Sequence, residues 1–186
     1  MKKNVYITGY LPLFSIILFS SAFAIHIERL LISKLKFFGV YQGMRELFSA
    51  QTIHLSAGFC LFLLFFMTFA ALKLLSDSCM QLGLFFFSMD KEGDTLRLTR
   101  QGGWIFFGGA MAAVVLNFSL TIILILFAAS ALVYFFYFLL KASTYMNSVN
   151  IMGMVFLQLF FWAAFGLVTA YTVVRLYNAL MAGIAS

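Results

Sequence analysis

The sequence predicts an all-α membrane protein: about four transmembrane helices plus an interfacial amphipathic helix, in a single integral membrane domain over residues 1–186. Three observations carry this expectation. Gln101 to Leu140 is forty consecutive residues without an Asp, Glu, Lys or Arg, and as a helix it would reach roughly 60 Å, twice the roughly 30 Å hydrocarbon core of a bilayer. Ala142 to Val174 is a second charge-free run, so Lys141 is the only formal charge between Arg100 and Arg175. The 186 residues are 64% hydrophobic and 10% charged, whereas soluble chains carry about a quarter charged residues.

The net charge of +6 would suggest nucleic acid in a soluble protein. Here the basic residues sit at the ends of apolar runs, where lipid headgroups are the nearer anions, so no nucleic-acid partner is expected. Cys60 and Cys79 lack the close Cys/His spacing of metal sites or dense disulfide frameworks and read as free thiols.

The N-terminal residues 1–24 admit two readings. Lys2, Lys3, the apolar stretch Leu11 to Phe19 and Ala22-Phe23-Ala24 have the order of a cleavable secretory signal. The favoured reading is an uncleaved first span over about 11–31, with Pro12 in its first turn, where a missing N–H costs nothing. Residues 32–51 then mix Lys34, Lys36, Arg45 and Glu46 with Leu35, Phe38, Tyr41, Met44 and Phe48 in steps of three and four. That periodicity predicts a helix lying in the headgroup plane.

A second span is placed at about 53–76, ended by Lys73 and Asp77, which can pair across one helical turn. Gln81 to Met89 is too short to cross and suits an interface or the flank of the next helix. A polar loop over 90–103 follows, in which Thr95 to Arg100 alternates like a short strand, with a helical turn capped by Asp94 or Thr95 as the rival. The long run is assigned one tilted helix over about 108–140, because a cut at Asn117 would leave a first half of about sixteen residues, too short to cross. Gly108 with Ala112, and Gly109 with Ala113, place small residues four apart for close packing. Tyr134, Tyr137 and Tyr145 read as an aromatic belt. The last span, about 151–174, carries a further small pair, Gly166 and Ala170, and ends at Arg175.

Four such spans put both termini on one side. With that side cytoplasmic, it holds seven basic residues against five outside, which with the doubled lysine at the start predicts cytoplasmic N- and C-termini.

Ionisable groups at membrane depth are the default functional candidates. Most here fall at expected interfaces, where they serve as anchors. One set is specific enough to state: if the first two spans pack antiparallel, His26, Glu28 and His54 share one surface and could relay a proton or bind a metal. Asn117, deep in the long run, reads as an interhelical hydrogen-bonding group. No H-E-x-x-H, G-x-S-x-G, phosphate-binding glycine loop or pair of intramembrane aspartates is present, so no enzymatic role, cofactor or resident metal is expected.

The segments Tyr6-Ile7-Thr8-Gly9-Tyr10-Leu11-Pro12-Leu13, Gly39-Val40-Tyr41-Gln42-Gly43-Met44 and Lys91-Glu92-Gly93-Asp94 together resemble the YufK-like group of small multi-pass membrane proteins from Bacillus-type bacteria. The resemblance implies a Gram-positive plasma membrane and four or so helices. It carries no assigned activity and no functional residue. The expected function is an accessory or assembly role through helix contacts with another membrane protein, with membrane lipid around it. The alternative is a small oligomeric transporter or channel for an ion or small solute.

Overall fold

The computed structural model describes residues 5–90 and 93–185, with side chains for 9–90, 93, 95, 96 and 99–183. Lys2 and Lys3 of the N-terminal charge signal, and Lys91 and Glu92 of the polar loop, lie outside the described residues. The described residues are almost all helical: α1 (Val5–Phe37), α2 (Val40–Leu47), α3 (Ala50–Phe87), α4 (Asp94–Arg100), α5 (Gly103–Val115), α6 (Leu120–Ala142), a 3-10 turn (Ser143–Tyr145) and α7 (Ser148–Ala185). Four stretches are long and apolar enough to cross a membrane: Gly9–Phe37, Ala50–Phe87, Leu120–Tyr145 and Ser148–Gly183.

The long apolar helices need little explanation beyond their composition, since in lipid a helix satisfies its own backbone. Their ends are set by local chemistry. At the end of α1 the chain reverses at Gly39, whose φ of 74° is the left-handed conformation that glycine adopts without steric cost. The short α2 follows, its Tyr41 buried with Ile32 of α1 and Ile53 of α3. Ser49 then caps α3 by accepting from the Thr52 backbone N–H at 3.2 Å. The expected interfacial segment is therefore shared: α1 runs on to Phe37, and only α2 stands as a separate amphipathic helix.

Two further expectations are revised near α3 and α4. Residues 81–87 continue α3 without a break. Residues 94–100 form a helix rather than a strand: Asp90 accepts from the Gly93 N–H at 3.0 Å and from the Thr95 N–H at 2.6 Å, so one carboxylate fixes the turn and meets the first free amides of α4.

The main correction concerns residues 108–140, which are not one helix. The chain stops being helical after Val115 and restarts at Leu120, where Ser119 accepts from the Ile122 N–H at 3.3 Å. α5 and α6 form an antiparallel hairpin: Gly102 lies against Tyr134 and Tyr137, and Gly109 against Ser130. α5 runs parallel to the first half of α1, with Gly103 against Leu11 and the Asn117 side-chain N–H donating to the Ala22 carbonyl at 3.1 Å. Its inward face is Gly103, Phe106, Ala110, Ala113 and Asn117, one residue per turn. The exposed tip is apolar, with Val115 70% and Phe118 77% exposed. Ala22 precedes Glu28 by six residues, about 9 Å of helix rise, so the tip ends inside the apolar layer.

A hairpin returns the chain to the end it left. α7 therefore starts where α1 starts and α3 ends: the Asn150 side-chain N–H donates to the Phe87 carbonyl at 2.9 Å, and Gly83 faces Met154.

The core is arranged in layers along the bundle. Its middle is Phe19, Ala22, Phe23, Phe69, Ala110, Ala113 and Ile123, with Phe127 edge-on to Phe19 at 5.3 Å. Towards the α4 end lie Met80, Phe138, Ala142, Met146 and Met154. Of the small-residue pairs, Gly109 and Ala113 pack within the hairpin and core. Gly108, Gly166 and Ala170 are exposed, and neither glycine has a neighbour within 4 Å of where a Cβ would sit.

Candidate functional site

Polar groups gather in three places. The first contains the set expected from sequence. α1 and α3 do pack antiparallel, and His54 Nδ1 meets Glu28 Oε1 at 2.5 Å. Gly58 leaves room for the Glu28 side chain. Tyr41 lies edge-on to His54 at 6.3 Å between ring centroids, and Lys36 stands over the Tyr41 ring at 5.0 Å. His26 does not join them. Two positions along a helix are about 200° apart, so His26 looks away from Glu28, and its buried Nδ1 has no partner. The trio is a pair plus a separate histidine. Among the described residues no group of three His, Cys, Asp or Glu side chains could hold a metal ion. With His54 45% exposed, the pair reads as a clasp joining α1, α2 and α3 at their water-facing end.

The second place was missed from sequence. A cavity of about 840 Å³ opens at the other end of the bundle between α1, α3, α4, α5, α6 and α7. One end is polar. Lys73 and Asp77, paired one turn apart on α3, lie there with Ser76, Gln81, Arg100 of α4 and Gln158 of α7. The deep end is aromatic, with Phe19, Phe69, Phe106 and Phe127. Gln158 is only 3% exposed, and its Nε2 has no hydrogen-bond partner. An unpaired buried amide costs on the order of 1–3 kcal/mol. Lys73 and Asp77 had been read as the end of a span; Gln158, the lone amide between Ile151 and Val174, was the signal available.

The third place is α7. It packs chiefly on α3, and from Gly166 to Gly183 every residue is exposed. The pairings of Asn150 with Phe87 and Met154 with Gly83 fix its register. Continued along a straight helix, that register brings Arg175 level with Phe62. This is about 12 Å of rise from His54 and about 16 Å from Lys73, between the levels of those two side chains. Thr169 and Thr172, which precede Arg175 in steps of three, bond to the carbonyls of Phe165 and Val168. Arg175 and Asn178 have no partner among the described residues.

A family model described as a family of unknown function (DUF5366) matches residues 28–185. An uncharacterised membrane protein of Bacillus subtilis (strain 168), YufK, is 36% identical over 182 residues, covering 98% of each chain. No solved structure matches. The resemblance read from three short segments thus extends over nearly the whole length. The chain is a multi-pass membrane protein of unknown activity and belongs to the DUF5366 family.

Proposed function

We propose that the protein works by association inside the membrane, as an accessory or assembly protein whose C-terminal half of α7 docks against another chain. The observation that carries this is Arg175. A guanidinium near the bilayer centre costs about 2.5–3.5 kcal/mol on insertion scales unless it is partnered or snorkels to water. None of the described residues of its own bundle pairs with it. Thr169, Thr172 and Asn178 add polar groups to the same stretch, whereas Gly166 and Ala170 fall on the opposite side of the helix. A partner helix carrying an acidic or amide group would meet the arginine and the polar groups beside it.

A second reading, favoured by the same polar stretch, is that the occupant is further copies of this chain, forming a small oligomeric transporter or channel lined by Thr169, Thr172, Arg175 and Asn178. A photo-crosslinking residue at position 172, expressed at native level, separates them. A discrete heteromeric adduct that Arg175→Leu abolishes supports the accessory role, and a ladder of self-adducts supports the oligomer. Adducts to lipid alone contradict both.

The Bacillus relative supports a bacterial cytoplasmic membrane as the location. The α5–α6 hairpin supports termini on opposite faces, in place of the shared face expected from four end-to-end spans. Counted by sequence position, Lys2, Lys3, Lys73, Lys91, Arg97, Arg100 and Lys141 then share one face against Arg29, Lys34, Lys36 and Arg45 on the other. Seven against four favours a cytoplasmic N-terminus and an external C-terminus. In this reading the chain performs no catalytic step and needs no cofactor.

A further inference from the structure

We propose that the cavity at the α4 end of the bundle binds a single-chain amphiphile with an anionic head, a carboxylate or phosphate on a long hydrocarbon tail. This inference stands apart from the docking role of α7 and rests on different residues.

The polarity of the cavity runs along the bundle axis. Its charged and amide groups lie level with the start of α1 and the loop between α3 and α5, while its apolar groups lie level with the bilayer core. An occupant therefore meets polar groups at the membrane surface and aromatic rings beneath, the same order as a lipid in the adjoining leaflet. The volume of about 840 Å³ falls in the range of small-molecule sites, roughly 300–1,000 Å³. It suits one chain rather than two.

The head group follows from the donors. Asp77 already balances Lys73, so the net positive charge comes from Arg100, which has no ion-pair or hydrogen-bond partner among the described residues. A guanidinium recognises carboxylate and phosphate oxygens through paired N–H groups. Gln158 supplies a second pointer: its buried, unpartnered Nε2 can only donate, so the group that satisfies it is an acceptor. A cationic or purely hydrocarbon occupant would leave both groups unmet.

The tail and the entry route follow from packing. Phe19, Phe69 and Phe127 form the deep wall, and Pro12 and Ile16 of α1 line one side. Leu132 of α6 and Leu159 of α7 stand at the rim and are 59% and 62% exposed. α7 leans chiefly on α3, which leaves the seam between α6 and α7 as a lateral opening towards lipid.

The test is equilibrium binding of radiolabelled 16-carbon probes to the full chain in phosphatidylcholine nanodiscs, where no detergent competes. Hexadecanoate, hexadecyl phosphate or both should saturate near one per chain. Binding of hexadecanoate alone assigns a carboxylate head, and binding of hexadecyl phosphate alone assigns a phosphate. Arg100→Gln and Gln158→Leu should each weaken binding at least tenfold. Leu132→Trp, a change at an exposed rim position that folding tolerates, should block entry. The proposal is overturned if neither anion binds saturably, if hexadecanol or hexadecyltrimethylammonium binds as tightly, or if the Arg100 and Leu132 variants bind like the parent chain.

Discussion

The side-chain amide of Asn117 donates to the backbone carbonyl of Ala22 across 3.1 Å, ninety-five residues away in sequence. The bond joins the tip of the α5–α6 hairpin to the middle of α1. Beside it, the Leu116 N–H bonds to the Ala112 carbonyl and the Phe118 N–H to the Leu116 carbonyl, each at 2.8 Å, so the turn satisfies much of its own backbone. Irregular chain at membrane depth persists only where its polar groups are met in this way.

Replacing Asn117 by Ala should lower stability by about 1 kcal/mol, typical of a single interhelical hydrogen bond in a membrane protein. Ser119→Ala removes the cap of α6 and should cost about 0.5–2 kcal/mol. The two sites are neighbours at one turn, so the double variant should depart from additivity. Thermal unfolding in mild detergent reads all three, and additive losses would show that the turn does not act as a unit.

The small residues of the long run should separate sharply. A Cβ at Gly109 would collide with the Ser130 hydroxyl, whereas one at Gly108 meets nothing within 4 Å. Gly109→Val should therefore cost about 1–3 kcal/mol through overpacking. Gly108→Ala should be neutral or slightly stabilising, since alanine favours the helix by up to about 1 kcal/mol. Equal effects at the two positions would contradict the hairpin packing.

The Glu28–His54 pair lies at a water-facing end, so His54→Leu should cost less than about 1 kcal/mol. His26→Leu should leave the clasp intact, because His26 faces elsewhere. A crosslink between cysteines placed at 28 and 54, with Cys60 and Cys79 changed to Ser, should form as readily in His26→Leu as with His26 present. Loss of that crosslink in His26→Leu would restore the trio that the fold separates.

Residues 166–183 are exposed throughout. A stop codon after Phe165 should leave the thermal midpoint of the purified bundle within a few degrees of the full chain while abolishing the adducts expected at α7. A collapse of the midpoint would mean that the far half of α7 packs against its own bundle.

Much of the fold was legible because apolar length is a strong signal. The crossings by α1, α3 and α7 and the amphipathic α2 follow from charge spacing and periodicity alone. The break at 116–119 was not legible, because neither a Pro nor a charge marks it. The competing rule, that sixteen residues cannot cross, is correct, but it argues against a span and not against a half-length hairpin arm. Asn117 and Ser119 were the available signs, and each is common in ordinary membrane helices. The Glu28–His54 pair followed from antiparallel packing, whereas His26 was misgrouped by nearness in sequence without regard to helix phase. The cavity was hidden for a different reason. It joins residues from six helices, and only a three-dimensional arrangement brings Lys73, Arg100 and Gln158 to one end.

The central claim is that α5 and α6 return the chain to the face it left, and side-specific labelling of single cysteines tests it most directly. With Cys60 and Cys79 replaced by Ser, cysteines at Gly93, Asn147, Gln42 and Ala182 are probed in intact cells and in inverted vesicles with a membrane-impermeant thiol reagent. The account predicts that Gly93 and Asn147 label from one side and Gln42 and Ala182 from the other. Labelling of Gly93 and Asn147 from opposite sides would mean that residues 108–140 cross as one helix, and would contradict it.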